Sequence, residues 1–317
     1  MDMLYFIIRH TMFFAIPLMI VALGGLFSEK SGVLNIALEG KMILGAFVGT
    51  MIISNFQEQM PGHPILFIAL LAALITGVLI SLLHAYASIN LKANQTISGI
   101  AINMFAPAFA IYFSRLLQGT QNINFRNEFR IDHVPVLGDV PVIGPSLFQN
   151  TYVTTFLGFL ILALGTFVLY KTKFGLRLRA CGEHPGAADS VGINVVKIRY
   201  AGVMISGALA GIGGLILIVP ISTVFDGGVS GYGFLALAVL IFGGWNPVKI
   251  IFAALFFGLM QAIASSYAAI GFLRALELPA HFYRMLPYIA TLILLAITSK
   301  ETVGPKALGQ PYDKGTR

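Results

Sequence analysis

Charge is scarce in this chain, and the scarcity decides its class. Only 10% of its 317 residues are Asp, Glu, Lys or Arg, while 57% are hydrophobic. Soluble domains carry roughly a quarter charged residues. With a mean hydropathy of +0.86, the chain reads as an all-α polytopic membrane protein. Cysteine is nearly absent. Cys181 stands alone, so no internal disulfide and no Cys-based metal site can form, and it reads as a small loop residue without a catalytic role. No basic leader with a small-residue cleavage site opens the chain, so the first apolar stretch is expected to remain as a span. Also missing are G-x-x-x-x-G-K-[ST] and H-E-x-x-H. The chain therefore holds no ATP in a Walker A loop. The six histidines, His10, His63, His84, His133, His184 and His281, are scattered without ligand spacing, so neither a metal nor another cofactor is expected. No paired acids or nucleophile–base set falls in the apolar stretches, which disfavours an intramembrane enzyme.

What is present is a series of apolar runs. A span needs about 20 apolar residues. On that measure, spans are expected near Thr11–Phe27, Val33–Ser54, Ile65–Ile89, Thr96–Leu117, Thr151–Tyr170, Tyr200–Val219, Tyr232–Gly244, Val248–Ile270 and Tyr283–Ser299. That is about nine transmembrane helices, within a range of eight to ten. The seventh is short and Gly-flanked, as a half-helix would be. The 34 glycines suit close helix packing in lipid.

The net charge of +7 points to topology rather than to a nucleic-acid partner, because Lys and Arg concentrate in cytoplasmic loops. The longest polar interruption, Lys171–Arg199, carries six of the 20 basic residues. Placing it in the cytoplasm puts 13 basic residues inside and six outside, with Lys41 in a span. The C-terminus then lies inside and the N-terminus outside. The spacing Ser31-Gly32-x4-Ala37-Leu38-x6-Gly45 recurs as Ser230-Gly231-x4-Ala236-Leu237-x6-Gly244. In this orientation the two copies run oppositely, the pattern of inverted repeats with a substrate path between the halves. Within the polar interruption, Gly182–Ile193 reads as a single short helix centred on Pro185–Val191, with Pro185 at a first helical position and Gly192 at its stop. So short a helix needs a partner surface, which is either its own membrane domain or a cytoplasmic protein.

Three stretches carry a family resemblance. They are GGLFSEKSGVLNIALEGKM from Gly24 to Met42, NQTISGIAIN from Asn94 to Asn103, and Phe174–Ala180 continuing through Glu183-His184-Pro185 to Gly192-Ile193. On these the whole chain resembles the membrane permease of a bacterial ABC importer, in the family serving ribose-type sugars, branched-chain amino acids and nucleosides. It most resembles the shorter of the two permeases of nucleoside importers. The resemblance implies a separate ABC ATPase, a second permease completing a heterodimer, a substrate-binding lipoprotein outside, and a nucleoside as cargo. It implies the bacterial cytoplasmic membrane as the location. It makes 1–317 a single permease domain, with a first half 11–170, a cytoplasmic coupling loop 171–199, a second half 200–299 and a cytoplasmic tail 300–317. It also implies ATPase contact by Glu183, Pro185, Ala187, Ala188, Val191 and Gly192.

The substrate-pathway candidates are Asn35, Glu39, Ser98 and Asn103. Asn35 and Glu39 are four apart and are expected to share a helix face, with Lys41 facing elsewhere. Polar groups inside a span usually face a bundle interior or water. Glu39 could therefore line the path or hold a helix break in place, and Ser98 and Asn103 could line the path or join helices. Gln118–Asn150 reads as an outer cap or a receptor-docking surface. Glu39, the one carboxylate expected within a span, also leaves open an ion-coupled secondary transporter, and a ribose-type sugar remains an alternative cargo.

Overall fold

The computed structural model describes residues 2–298 and 304–313. Helix α1 (Asp2–Lys30) is followed by α2 (Leu38–Phe56), α3 (His63–Ala85), α4 (Gln95–Gln118), α5 (Val153–Lys171), α6 (Lys173–Glu183), α7 (Pro185–Ser190), α8 (Val195–Ile221), α9 (Tyr232–Phe242), α10 (Pro247–Ser266), α11 (Gly271–Ala275) and α12 (Ala280–Thr298). Local chemistry sets several ends. Asn94, Asn194 and Asn246 cap α4, α8 and α10 by accepting backbone N–H groups, and Gly119 stops α4 in the left-handed region at φ 73°. Among the described residues, sheet is limited to two antiparallel pairs, β1 (Ile123–Asn124) with β4 (Val224–Phe225) and β2 (Arg130–His133) with β3 (Gln149–Tyr152). They fold the 119–152 connection over the end of the bundle where α8 finishes.

Among the described residues, six helices are long and apolar enough to cross a membrane: α1, α3 with its continuation to Asn90, α4, α5, α8, and α10 with its continuation to Ala269. That is fewer than the nine expected. The difference lies in α2, where Glu39 and Lys41 lower the hydropathy, in α9, which has 11 residues, and in α12, which is not fully described. The first helix is also longer than expected, beginning at Asp2.

Helices α1, α2 and α8 form the interior, with 14 of the 19 residues of α2 buried. The most apolar stretch of α1 is 94% buried and that of α8 is 78% buried, whereas that of α4 is 17% buried. Small residues let the backbones touch. A Cβ on Gly207 would stand 1.9 Å from Ser81 Oγ and 2.3 Å from Gly77 O, and one on Gly214 would stand 2.0 Å from Met42 O. The row Gly207, Gly211, Gly214 of α8 is thereby seated on α3 and α2, the close-approach packing that lipid-embedded helices use.

The two copies of the Ser-Gly spacing fall on different places. Ser31-Gly32 lies six residues before the first residues of α2, while Ser230-Gly231 directly precedes α9. The polar interruption also differs from its reading as one short helix in a loop. It contains two helices, broken at His184, whose φ of −149° ends α6 and whose Nδ1 accepts the Ala187 N–H at 3.1 Å to begin α7.

Replacing Gly207 by Val forces α8 off α3. We expect loss of at least 1–3 kcal/mol, the usual scale of overpacking, read as a lowered melting temperature of the detergent-solubilised protein. Gly119→Ala, which meets no neighbour but adopts positive φ, should cost only about 1 kcal/mol.

Candidate functional site

Between α1 and α2 the chain is not helical from Ser31 to Ala37. Unwound backbone inside a membrane protein must find partners off the helix ladder, and side chains from three helices supply them. Gln95 Oε1 accepts the Leu34 N–H at 2.7 Å, and the Leu34 carbonyl is bonded by His84 Nε2 at 3.0 Å. The other ring nitrogen of His84 meets Ser98 Oγ at 3.0 Å. Asn103 acts twice: Nδ2 donates to the Ile36 carbonyl at 2.9 Å and Oδ1 accepts the Gly40 N–H at 2.8 Å. Ser28 Oγ donates to the Val33 carbonyl at 2.8 Å.

The Asn35 side chain is fully buried. Its Oδ1 accepts from Lys41 Nζ at 2.8 Å and its Nδ2 donates to Ser206 Oγ of α8 at 2.7 Å. Asn35 therefore stands in the unwound stretch, not on a helix face with Glu39, and Lys41 turns back toward it. Glu39 occupies the first turn of α2 and reaches α9. Its Oε1 accepts the Gly231 N–H at 2.9 Å and its Oε2 the Gly233 N–H at 2.6 Å. Each helix N-terminus carries about half a positive charge, so the start of α2 and the start of α9 together match one carboxylate.

A second buried carboxylate marks the other end of α9. Glu29 Oε2 accepts from Trp245 Nε1 at 2.6 Å. Glu29 lies in the last turn of α1, beyond the span expected to end at Phe27; the helix runs three residues farther than the apolar run does. At 1.5 Å per residue α9 is about 16 Å long, roughly half of the ~30 Å hydrocarbon core.

The four pathway candidates, Asn35, Glu39, Ser98 and Asn103, meet around this stretch. All four have polar atoms engaged with protein groups. Gln95, His84, Lys41 and Ser206 join the same network without having stood among the candidates. The signal available for them was their polarity within apolar runs.

The six coupling candidates lie at the α7 end. Glu183, Pro185 and Ala187 line a groove of about 720 Å³. Val191 is exposed and Gly192 closes α7 at φ 84°. Ala188, also expected to contact the ATPase, points inward. It is buried and packs with Cys181 and Val195, so it seats α7 on α6 and α8. The opposite wall of the groove is the tail, through Lys306, Gln310 and Tyr312. The tail is tied down at several points: Ala307 N–H donates to Gly182 O at 2.9 Å, Gly309 N–H to Gly32 O at 3.1 Å, Arg199 Nη1 to Gln310 O at 3.0 Å, and Lys92 pairs with Asp313 at 2.5 Å. Gly32 thus joins the tail to the unwound stretch. Tail residues 300–303 and 314–317 lie outside the described residues, as does Ser299 of the expected ninth span.

Residues 7–296 match the family described as the branched-chain amino acid transport system / permease component. The chain belongs to that family. It is 43% identical over 320 residues to the guanosine ABC transporter permease protein NupQ of Bacillus subtilis, covering 100% of this chain and 99% of that one. It is 38% identical to the nucleoside ABC transporter permease protein NupC of Lactococcus lactis, over 98% of each chain. It is 30% identical to a putative glucose ABC transporter permease protein, TsgC13, of Haloferax volcanii, over 78% of this chain and 74% of that one. No solved structure matches the chain. This permease is a multi-pass membrane transport component, not an enzyme.

Two measurements check the site. Asn103→Leu strands the Gly40 N–H and the Ile36 carbonyl, each an unmet buried group worth about 1–3 kcal/mol. It should lower the melting temperature far more than Ser98→Ala, which removes one contact to His84. Burial pushes the Cys181 thiol up to about 11, against an opposing pull from Arg199. Few thiolates then form at neutral pH, and a maleimide probe should label the folded permease slowly and the denatured chain at once.

Proposed function

We propose that this chain is a substrate-conducting permease subunit of an ATP-driven importer of nucleosides, and that a separate ABC ATPase docks in the α7 groove. The full-length similarity to guanosine and nucleoside permeases carries the reading. A second permease completes the pore as a heterodimer, on the family resemblance, and a lipoprotein receptor delivers the nucleoside to the β-strand end. Lys171, Lys173, Arg177, Arg179 and Lys197 gather around α6 and α7, which supports a cytoplasmic position for that end. The N-terminus of α1 then lies outside and the tail inside.

Counting α2, α9 as a half-helix, and α12 with the six apolar helices gives about nine membrane segments. The succession of a long buried helix, a non-helical break and a further helix occurs twice, at α1–α2 and at α8–α9. This supports two inverted halves, 11–170 and 200–299, joined by the coupling region 171–199. Glu183, Pro185 and Ala187 within the groove, and Val191 and Gly192 beside it, face the ATPase, and Ala188 anchors the helix that presents them. Around the unwound stretch, Asn35, Glu39, Ser98 and Asn103 shape the pathway by holding its irregular backbone. An ion-coupled role for Glu39 is disfavoured, because both carboxylate oxygens already accept backbone N–H groups.

The test is uptake by vesicles holding the permease pair, the ATPase and the receptor. Nucleoside uptake should require ATP hydrolysis and be indifferent to a proton ionophore. Ionophore-sensitive, ATP-independent uptake would sink the reading, and glucose or ribose carried in preference would change the cargo. Ala187→Arg, at an exposed position of α7, should leave melting unchanged yet cut ATPase co-purification and uptake at least ten-fold.

A further inference from the structure

A cavity of about 520 Å³ opens at the far end of α8 from α7, lined among others by Ser230, Tyr232, Gln261, Tyr267, Arg284 and Tyr288. Its volume falls within the roughly 300–1,000 Å³ of small-molecule sites. None of the residues expected from sequence to line the pathway belongs to it.

One group in its wall is unfinished. Tyr232 is 2% exposed and its hydroxyl lies beside the Gln261 side chain, yet it makes no aligned hydrogen bond among the described residues. Its ring is held against Phe14, with centroids 6.2 Å apart. A buried unmet hydroxyl is costly, so a polar ligand atom entering here finds a bond that the fold itself leaves open. A second wall is flat and aromatic. Tyr267 stacks on Tyr283 at 4.6 Å and 10°, and the Tyr283 hydroxyl is locked by donating to the Leu273 carbonyl at 2.6 Å. Across from it, the Tyr288 hydroxyl reaches to 3.7 Å from where a Cβ on Gly231 would stand, at the start of α9.

The chemistry on offer is aromatic faces, neutral donors and acceptors, and one cation, Arg284. The leading N–H groups of α9, which could otherwise draw a phosphate, are taken by Glu39. Such a wall suits a planar, uncharged heterocycle bearing hydroxyl groups. Base faces stack on aromatic rings regardless of sequence, and neutral polar side chains bind base edges and ribose. We propose that this cavity is a nucleoside-binding station on the transport path, with Tyr232 and Gln261 reading polar atoms and Tyr267 and Tyr288 taking the base. The proposal rests on the reading of this chain as a nucleoside permease.

The experiment is initial-rate uptake of one purine and one pyrimidine nucleoside by vesicles holding the full importer. Wild-type vesicles that carry no nucleoside would overturn both readings together. Given wild-type uptake, Tyr232→Phe and Gln261→Ala should each raise KM about three- to ten-fold, the scale of one lost hydrogen bond, with the maximal rate within two-fold. Tyr288→Ala should raise KM for both nucleosides while Tyr288→Phe keeps it near wild type. Unchanged KM in Tyr232→Phe, Gln261→Ala and Tyr288→Ala would overturn the cavity alone and leave the nucleoside permease standing. Equal KM loss in Tyr288→Phe and Tyr288→Ala would overturn the stacking assignment. If Tyr232→Phe fails to assemble with its partners, Gln261→Ala and the Tyr288 pair decide the matter.

Discussion

A carboxylate with two backbone N–H groups on it holds this molecule's centre in place. Glu39 joins the start of α2 to the start of α9, across 192 and 194 residues of chain. Both helices begin inside the protein rather than at its surface. Each would otherwise leave its leading N–H groups unmet, and in a lipid-embedded fold no water is at hand to satisfy them. Glu39 settles the start of α9, and Asn103 takes the Gly40 N–H at the start of α2. The unwound stretch that precedes α2 raises the same difficulty for single residues, and Gln95, His84 and Asn103 answer it one group at a time.

These polar groups work because glycine brings the helices close. Ser206 reaches Asn35 from the face of α8 next to Gly207, and Gly207, Gly211 and Gly214 set that helix directly on α2 and α3. Dispersion across such a seam is cumulative, while each hydrogen bond nets about 1 kcal/mol. The seam therefore holds the helices at the spacing that the short side-chain bonds require. Without it, Asn35 and Ser206 would be apart.

Much of this was legible from residue order. The six longest apolar helices coincide with expected spans, the shortness of α9 was evident from its flanking glycines, and Pro185 marked the start of α7. What escaped were features that depend on partners distant in sequence. Lys41 was set apart from Asn35 by helix periodicity, and periodicity fails there because Asn35 precedes the helix. Glu29 fell beyond the expected span because apolar patterning stops before it; Trp245, 216 residues away, is what lets it sit in a buried helix end. Ala188 looked like a contact residue from the family pattern, but small residues at helix crossings are equally apt to face inward. The tail's role as a groove wall had no local signal, since its anchors at Gly32, Lys92, Gly182 and Arg199 are all distant in sequence.

Helix α8 links the two ends of the molecule. Arg199 near its start holds the tail, Ser206 holds the unwound stretch, and Ile221 at its end lines the Tyr232 cavity. From Arg199 to Ile221 is about 33 Å of continuous helix, more than the hydrocarbon thickness. A helix so tightly seated on its neighbours has little room to bend, because interiors are packed too closely to deform continuously. The stretch from Ser31 to Ala37 is different. It is held by side chains that can exchange partners singly, at about 1 kcal/mol each, and through Gly32 it is bonded to the same tail that walls the α7 groove. Motion delivered at that groove would thus pass along α8 as a rigid shift and be taken up where the backbone is unwound. Glu39 stands at the limit of that stretch, so the start of α9, and the Tyr232 hydroxyl one residue from its capped N–H groups, would move with it.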